Sequence, residues 1–189
     1  RKIKFSYRKS KENHKHLPQK TKNEKEIKSE GNHHLNQIEN KRNDSERRKL
    51  MAKLGIIGAG SWGTALAVVL EKNGHDVVIW SAIEAEIQML QEHHEHKEKL
   101  PGIKLADNIR YTVQLQEAVV GMDALVLAVP SMYARQTAGR MAQYVSDGQL
   151  IVSVAKGIEE DTLMTLSQII KQEIPQSVPA VLCGPSHAE

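Results

Sequence analysis

From residue 53 onward, the spacing of hydrophobic residues changes repeatedly between the period of a strand and the period of a helix. Short apolar runs, rich in β-branched residues, predict strands at residues 53–57, 76–80, 108–112, 123–130, 150–154 and 180–183. Apolar positions at helical spacing predict helices at residues 64–73, 82–92, 115–120, 131–144 and 161–171. Strands that alternate with helices indicate a doubly wound α/β fold, in which a mostly parallel sheet is covered on both faces.

Three of these elements lead to predictions about particular side chains. Ser131 directly follows Pro130 and is expected to cap the helix that runs to about residue 144. Leu163 has helical spacing to Leu166 and is expected on the buried side of the helix at residues 161–171. Cys183 is expected to be a small buried residue of the last strand rather than a nucleophile.

The first fifty residues lack this periodicity. They contain 16 Lys and Arg against 7 Asp and Glu, a net charge of +9, and few apolar residues. Such a composition predicts a disordered basic extension without fixed metal sites. Met51 stands directly before the first strand, so we expect the natural protein to begin there, with residues 1–50 lying outside it. The alternative is a basic tail that binds RNA or an acidic membrane surface.

Residues 51–189 have a different charge balance, with 10 basic and 16 acidic residues and a net charge of −6. This acidic body argues against a nucleic-acid partner. The chain contains one cysteine, which excludes an internal disulfide and indicates a reducing, cytoplasmic setting. No run of about 18 apolar residues is present, so no membrane span is expected.

The glycine-rich segment at residues 58–63 separates the first strand from the first helix. A strand, a GxGxxG turn and a helix in this order predict a dinucleotide-binding site. Gly58 permits the sharp turn, and Gly60 lets a pyrophosphate approach the backbone. Gly63 lets the helix lie close to the strand. The amide groups at the start of the helix would then donate to the phosphates.

Other candidate residues follow later strands. In a doubly wound sheet, ligands bind beyond the carboxyl ends of the strands. Lys156 comes directly after the strand at residues 150–154, where a cation contributes nothing to packing and can bind a phosphate or polarise a carbonyl. After the last strand, the backbone of Gly184 and the hydroxyl of Ser186 offer donors for a substrate oxyanion or phosphate.

The residues that would select between NAD and NADP are not evident. The second strand is followed by Ser81 and Ala82, with neither the acid that binds the ribose hydroxyls nor an arginine for a 2′-phosphate. Glu84 lies one turn into the next helix and is a poor substitute. The histidines at residues 93–96 raise a zinc hypothesis, but adjacent positions rarely converge on one metal. We therefore expect a solvated loop at residues 93–99 and no metal site.

Together, these segments resemble bacterial-type NAD(P)-dependent glycerol-3-phosphate dehydrogenase. The matching stretches are GAGSWGTALA at residues 58–67, LPGI at 100–103, AVPS at 128–131, KGIE at 156–159 and GPSHAE at 184–189. The resemblance implies a Rossmann sheet and the interconversion of dihydroxyacetone phosphate and sn-glycerol 3-phosphate by hydride transfer, which supplies phospholipid synthesis. It covers residues 51–189 in the family's order.

The resemblance also implies roles for individual residues. Cofactor contacts are expected at Ser61, Trp62, Lys156 and Ala188 and at the neighbouring glycines Gly58, Gly60 and Gly63. Substrate contacts are expected at Lys156, Gly184 and Ser186. Ala82 falls where the family often has His or Arg and cannot make that polar contact. The proton-transferring lysine and the helical C-terminal domain are expected beyond Glu189, so no catalytic residue is assigned and these 189 residues are expected to be inactive alone.

Two other functions compete with this interpretation. One is a Rossmann reductase of the 2-hydroxy acid or ketopantoate type, against which the motifs at Lys156 and Gly184 speak. The other is a nucleotide-sensing or RNA-binding module without catalysis, which the basic first fifty residues would drive. The residues leave open both the NAD or NADP preference and whether the full-length protein is a homodimer.

Overall fold

The computed structural model describes residues 51–184, and these form a sheet with helices on both faces. The predicted disorder of residues 1–50 lies outside the described residues. The strands are β1 (Lys53–Ile57), β2 (Asp76–Trp80), β3 (Arg110–Thr112), β4 (Ala124–Leu127), β5 (Leu150–Ser153) and β6 (Val178–Val181). The helices are α1 (Ser61–Lys72), α2 (Glu84–His93), α3 (Leu115–Val119), α4 (Ser131–Met141) and α5 (Leu166–Glu173). A 3₁₀ turn, Ala142–Tyr144, follows α4.

All paired strands are parallel, in the order β3-β2-β1-β4-β5-β6. The chain therefore moves outward from β1 to β3, then crosses back and continues from β4 to β6. This confirms the predicted doubly wound α/β fold. The reversal falls between β1 and β4, and such a switch point opens a crevice at the carboxyl ends of the strands.

The core lies on both faces of the sheet because successive strand residues point to opposite sides. On one face, β1 contributes Ile57 to a cluster with apolar residues of α3, α4 and α5. On the other face, Ile56 packs with apolar residues of α1 and α2. Both isoleucines are fully buried. Burial of each such side chain stabilises the fold by about 2 kcal/mol.

The last helix begins later than the periodicity predicts. α5 begins at Leu166, where Thr165 and Gln168 form a capping box that satisfies two backbone amides. Leu163 precedes this cap, has a positive φ of 58° and is 70% exposed. The predicted helix at residues 161–165 and the predicted burial of Leu163 are therefore wrong. The start of α5 could have been predicted from the T-x-x-Q spacing of Thr165 and Gln168, which is typical of a helix N-terminus.

Two other local predictions are also wrong. The cap residue of α4 is Pro130, and no side chain caps that helix, so Ser131 is its first residue rather than its cap. β6 ends at Val181, and Cys183 lies beyond it as an exposed free cysteine. Both errors come from placing an element boundary one or two residues away from where the backbone pairing puts it.

Within residues 51–184, no helix combines the length and the apolar character needed to cross a membrane.

Candidate functional site

The turn after β1 is built by backbone contacts. The amide of Gly58 donates to the carbonyl of Trp80 over 2.9 Å, which ties the turn to the end of β2. Gly58 has a φ of +125°, and a Cβ there would lie 2.8 Å from the carbonyl carbon of Ala128 on the neighbouring strand end. A side chain at this position would therefore be strained in its backbone and would clash with the backbone beside it.

The other two glycines of the turn differ in their surroundings. A Cβ on Gly63 would lie 2.1 Å from the carbonyl oxygen of Gly58, so its absence allows α1 to pack closely on the turn. Gly60 is the N-cap of α1 with an ordinary φ of −68°, and a Cβ there would meet nothing within 4 Å. Neither sterics nor backbone conformation in this structure demands glycine at position 60. Open space at the start of a helix is what a bound phosphate needs.

A cleft opens where the carboxyl ends of the central strands meet. Its walls include Gly58, Gly60, Ser61, Trp62, Lys156 and Gly184. The fold thus brings together all described residues that the sequence assigned to cofactor or substrate except Gly63, which is buried beneath the turn. Trp62 is 54% exposed, so its ring is accessible to a ligand. Ser186 and Ala188 lie outside the described residues.

The end of β2 carries a polar cluster that sequence reasoning missed. Glu86 is 7% exposed and accepts a hydrogen bond of 2.5 Å from the Ser81 hydroxyl. The ammonium group of Lys99 forms an ion pair with the same carboxylate. Burial raises the pKa of Glu86, but the hydrogen bonds from Lys99 and Ser81 outweigh it, so the pKa lies below its usual value. Glu86 and Lys99 both line the cleft.

The predicted solvated loop at residues 93–99 is wrong at His96. That side chain is fully buried, and its Nδ1 accepts from the amide of Lys99 over 3.2 Å. The carbonyl of Lys99 in turn accepts 2.7 Å from the hydroxyl of Ser61 on α1. His96 therefore helps to fix a loop that contacts the glycine turn. Among residues 51–184, no three His, Cys, Asp or Glu side chains are placed to hold one metal ion.

The segment after β5 places Lys156 at the cleft and is tied to α4. Gly157 has a φ of +105°, and a Cβ there would lie 3.5 Å from the hydroxyl oxygen of Ser131. Arg135 of α4 forms a bidentate ion pair with Glu159, with both N–O distances at 2.7 Å. Hydrogen bonds from Arg135 and Thr162 lower the pKa of Glu159 to about 2. Sequence reasoning quoted Glu159 in a motif but had no signal for Arg135.

Chemically, the cleft combines donors that suit an anionic, extended ligand. The first amides of α1 have no intrahelical acceptor and point towards the glycine turn. Lys156 adds a cation on the opposite side of the switch point, after β5. This arrangement can hold a diphosphate at the start of α1 and a second, anionic group near the Lys156 ammonium.

Comparison with known proteins agrees with this geometry. Residues 53–189 match the family described as NAD-dependent glycerol-3-phosphate dehydrogenase N-terminus. The chain is 60% identical over 139 residues to the glycerol-3-phosphate dehydrogenase [NAD(P)+] of Agathobacter rectalis, covering 74% of this chain and 41% of that protein. It is 48% identical over 141 residues to the protein of the same name from Fusobacterium nucleatum, covering 74% and 42%. The chain thus spans about two fifths of the length of these curated relatives.

Solved structures show the same fold. The glycerol-3-phosphate dehydrogenase of Coxiella burnetii superposes with a TM-score of 0.68 at 28% identity, covering 72% of this chain and 42% of that one. A ketopantoate reductase from Ralstonia eutropha superposes with a TM-score of 0.55 at 18% identity, covering 68% and 40%, which shows the fold alone. Because the family match covers more than half of its residues, the chain belongs to the NAD-dependent glycerol-3-phosphate dehydrogenase N-terminus family.

Proposed function

We propose that residues 51–189 are the dinucleotide-binding domain of a dehydrogenase that interconverts dihydroxyacetone phosphate and sn-glycerol 3-phosphate with NAD or NADP. The names of the relatives and the family match support this activity. The single observation on which the proposal rests is the open space at Gly60, at the start of α1 and at the switch point of the sheet.

The cofactor fits the residues at this position. Gly58 and Gly63 are required by the turn itself, whereas the space at Gly60 is free for a diphosphate. The amides at the start of α1 would donate to its oxygens, and Ser61 and Trp62 line the cleft beside them. When bound, a nicotinamide cofactor supplies the hydride that is transferred. The protein's part is to orient it and to exclude water.

We assign substrate binding to Lys156, Gly184 and Ser186, and further cofactor contacts to Lys156 and Ala188. Lys156 and Gly184 lie in the same cleft as the glycine turn, which supports their assignment. A lysine there would attract the phosphate of the substrate or polarise its carbonyl. The chain covers 41% of its relative from Agathobacter rectalis, so we propose substrate turnover for the full-length protein and nucleotide binding for these 189 residues.

We further propose a small-molecule phosphate substrate, no nucleic-acid partner and a homodimer for the full-length protein. A cytoplasmic setting is supported by the chain's single cysteine, which leaves no internal disulfide to form.

The test is a titration of the whole chain with NADH and NADPH, in which energy transfer from tryptophan to the reduced nicotinamide reports binding. We expect saturable binding of at least one nucleotide by the wild type. Gly60→Arg should abolish it, because the longer side chain fills the phosphate position while its backbone conformation suits any residue. The matched control is Val120→Arg, which adds the same charge at an exposed residue before β4. No binding by a folded wild type would contradict the proposal.

A further inference from the structure

A network of charged groups joins the Lys156 segment to the neighbouring helices. The guanidinium of Arg135 donates two hydrogen bonds to Glu159 and one of 2.5 Å to Glu173, the last residue of α5. It also donates 2.9 Å to the side-chain oxygen of Gln172. One arginine on α4 therefore contacts both the segment after β5 and the end of α5.

Glu159 is fixed through its backbone as well as its side chain. Its amide donates 2.9 Å to the carbonyl of Met164, and its carbonyl accepts 2.9 Å from the amide of Leu163. An isolated antiparallel bridge pairs Ile158 with Thr165, immediately before α5. The segment at residues 158–165 is thus a closed loop, and Arg135 on α4 contacts it through two hydrogen bonds to Glu159 and one of 3.5 Å to the sulfur of Met164.

The ion pair does not explain the stability of the fold. The side chains of Arg135 and Glu159 are 31% and 19% exposed, and partly exposed ion pairs contribute little to the free energy of unfolding. Apolar residues of α4 and α5 already pack these helices onto the sheet. The bidentate geometry instead restricts where the segment after β5 can lie, because a planar guanidinium donates two hydrogen bonds to one carboxylate in only a few orientations.

Lys156 is three residues before Glu159, at the point where this segment meets the cleft. Between them, Gly157 has a positive φ and approaches Ser131 at the start of α4. Displacement of Glu159 from Arg135 would therefore allow the Lys156 backbone to move away from the strand ends that form the cleft.

We propose that Arg135 and Glu159 are positioning residues, whose ion pair holds Lys156 at the distance from the glycine turn that a bound nucleotide requires. They touch neither nucleotide nor substrate and act through Lys156. This inference rests on the proposed nucleotide-binding function.

A double-mutant cycle on the whole chain tests it, with NADH and NADPH as probes. Lys156→Ala is expected to weaken the affinity for the bound nucleotide about ten-fold, and Glu159→Gln about five-fold, which is the range for coupled neighbours. The double variant should bind the nucleotide no more weakly than Lys156→Ala alone. Once the lysine is absent, displacement of the segment removes no further contact with the nucleotide. Arg135→Gln should reproduce Glu159→Gln.

Two measurements separate positioning from folding. Urea unfolding midpoints of the single variants should lie close to that of the wild type, because a partly exposed ion pair contributes little to the free energy of unfolding. Glu173→Gln is the matched control, because Glu173 pairs with the same arginine but belongs to α5. It should change the affinity for the nucleotide by less than about two-fold. The proposal would be overturned if Glu159→Gln weakened the nucleotide affinity as much in the Lys156→Ala background as in the wild type. It would also be overturned if Glu159→Gln did not weaken the affinity at all. A wild type that bound neither nucleotide would overturn the proposed function as well.

Discussion

The glycine turn after β1 and the Lys156 segment after β5 line the same cleft, yet different forces hold them in place. The turn is fixed by backbone contacts at distances that exclude a single methyl group, as at Gly58 and Gly63. The Lys156 segment is exposed, and besides the backbone bonds within residues 158–165 it is fixed by side-chain charges from a helix 24 residues earlier in the chain. Short-range sterics therefore define one wall of the cleft and long-range electrostatics the other.

The difference indicates how each wall tolerates change. A steric constraint between backbone atoms cannot relax, so substitution of Gly58 or Gly63 should destabilise the whole fold. An ion pair at the surface can be lost while the fold remains, so substitution in the Lys156 segment should affect function without unfolding.

Gly63→Ala should have the largest effect on stability. Its Cβ would lie 2.1 Å from the carbonyl oxygen of Gly58, so α1 must move away from β1, at a cost of about 3 kcal/mol in the free energy of unfolding. Urea denaturation followed by circular dichroism measures it. Gly60→Ala is the control within the same turn and should change stability by less than about 0.5 kcal/mol, since nothing lies near its Cβ. Equal losses for both variants would refute the steric account.

Thr165→Ala should have an intermediate effect. It removes the hydroxyl that accepts from the amide of Gln168 and leaves the first turn of α5 uncapped, at a cost of about 1 kcal/mol. Thermal or urea unfolding measures the loss. Thr165→Ser retains the hydroxyl and should keep most of the stability. If Thr165→Ser lost as much as Thr165→Ala, the hydroxyl would not be the cause.

The smallest effect on stability should come from titrating Glu159. Its pKa in the folded chain is about 2, below the ordinary value of about 4.3 for an unfolded glutamate. A depressed carboxyl pKa gives a contribution that is full above the unfolded value and is lost as the pH falls towards 2. NMR of the Glu159 carboxyl carbon should therefore show titration near pH 2, and Arg135→Gln should return it towards 4.3. An unchanged pKa in that variant would show that Arg135 is not its cause.

Local patterns predicted the sheet and the glycine turn well. β1 and β2 lie where their apolar runs placed them, because burial on both faces produces an unbroken apolar stretch. The turn could be predicted because its geometry depends on neighbouring residues in the sequence. The remaining errors at Ser131, Leu163 and Cys183 concern element ends, where one hydrogen bond decides the boundary.

The charge pairs in and beside the cleft could not be predicted from the sequence. Glu86 pairs with Lys99 and Arg135 with Glu159 across 13 and 24 residues, and spacing says nothing about such contacts. Glu84 is exposed at the start of α2, whereas Glu86, two residues later, lines the cleft. A histidine-rich loop that looked solvated buries His96, because a tertiary partner rather than composition decides burial.

The most direct test is an NMR titration of the ¹⁵N-labelled chain with NADH and NADPH. The backbone amides of Gly60, Ser61 and Trp62 should shift most, since these are the groups that would donate to the diphosphate. Smaller shifts should follow at Lys156, across the cleft. Saturable binding that left the resonances of the amides at the start of α1 unshifted would contradict diphosphate binding at the glycine turn.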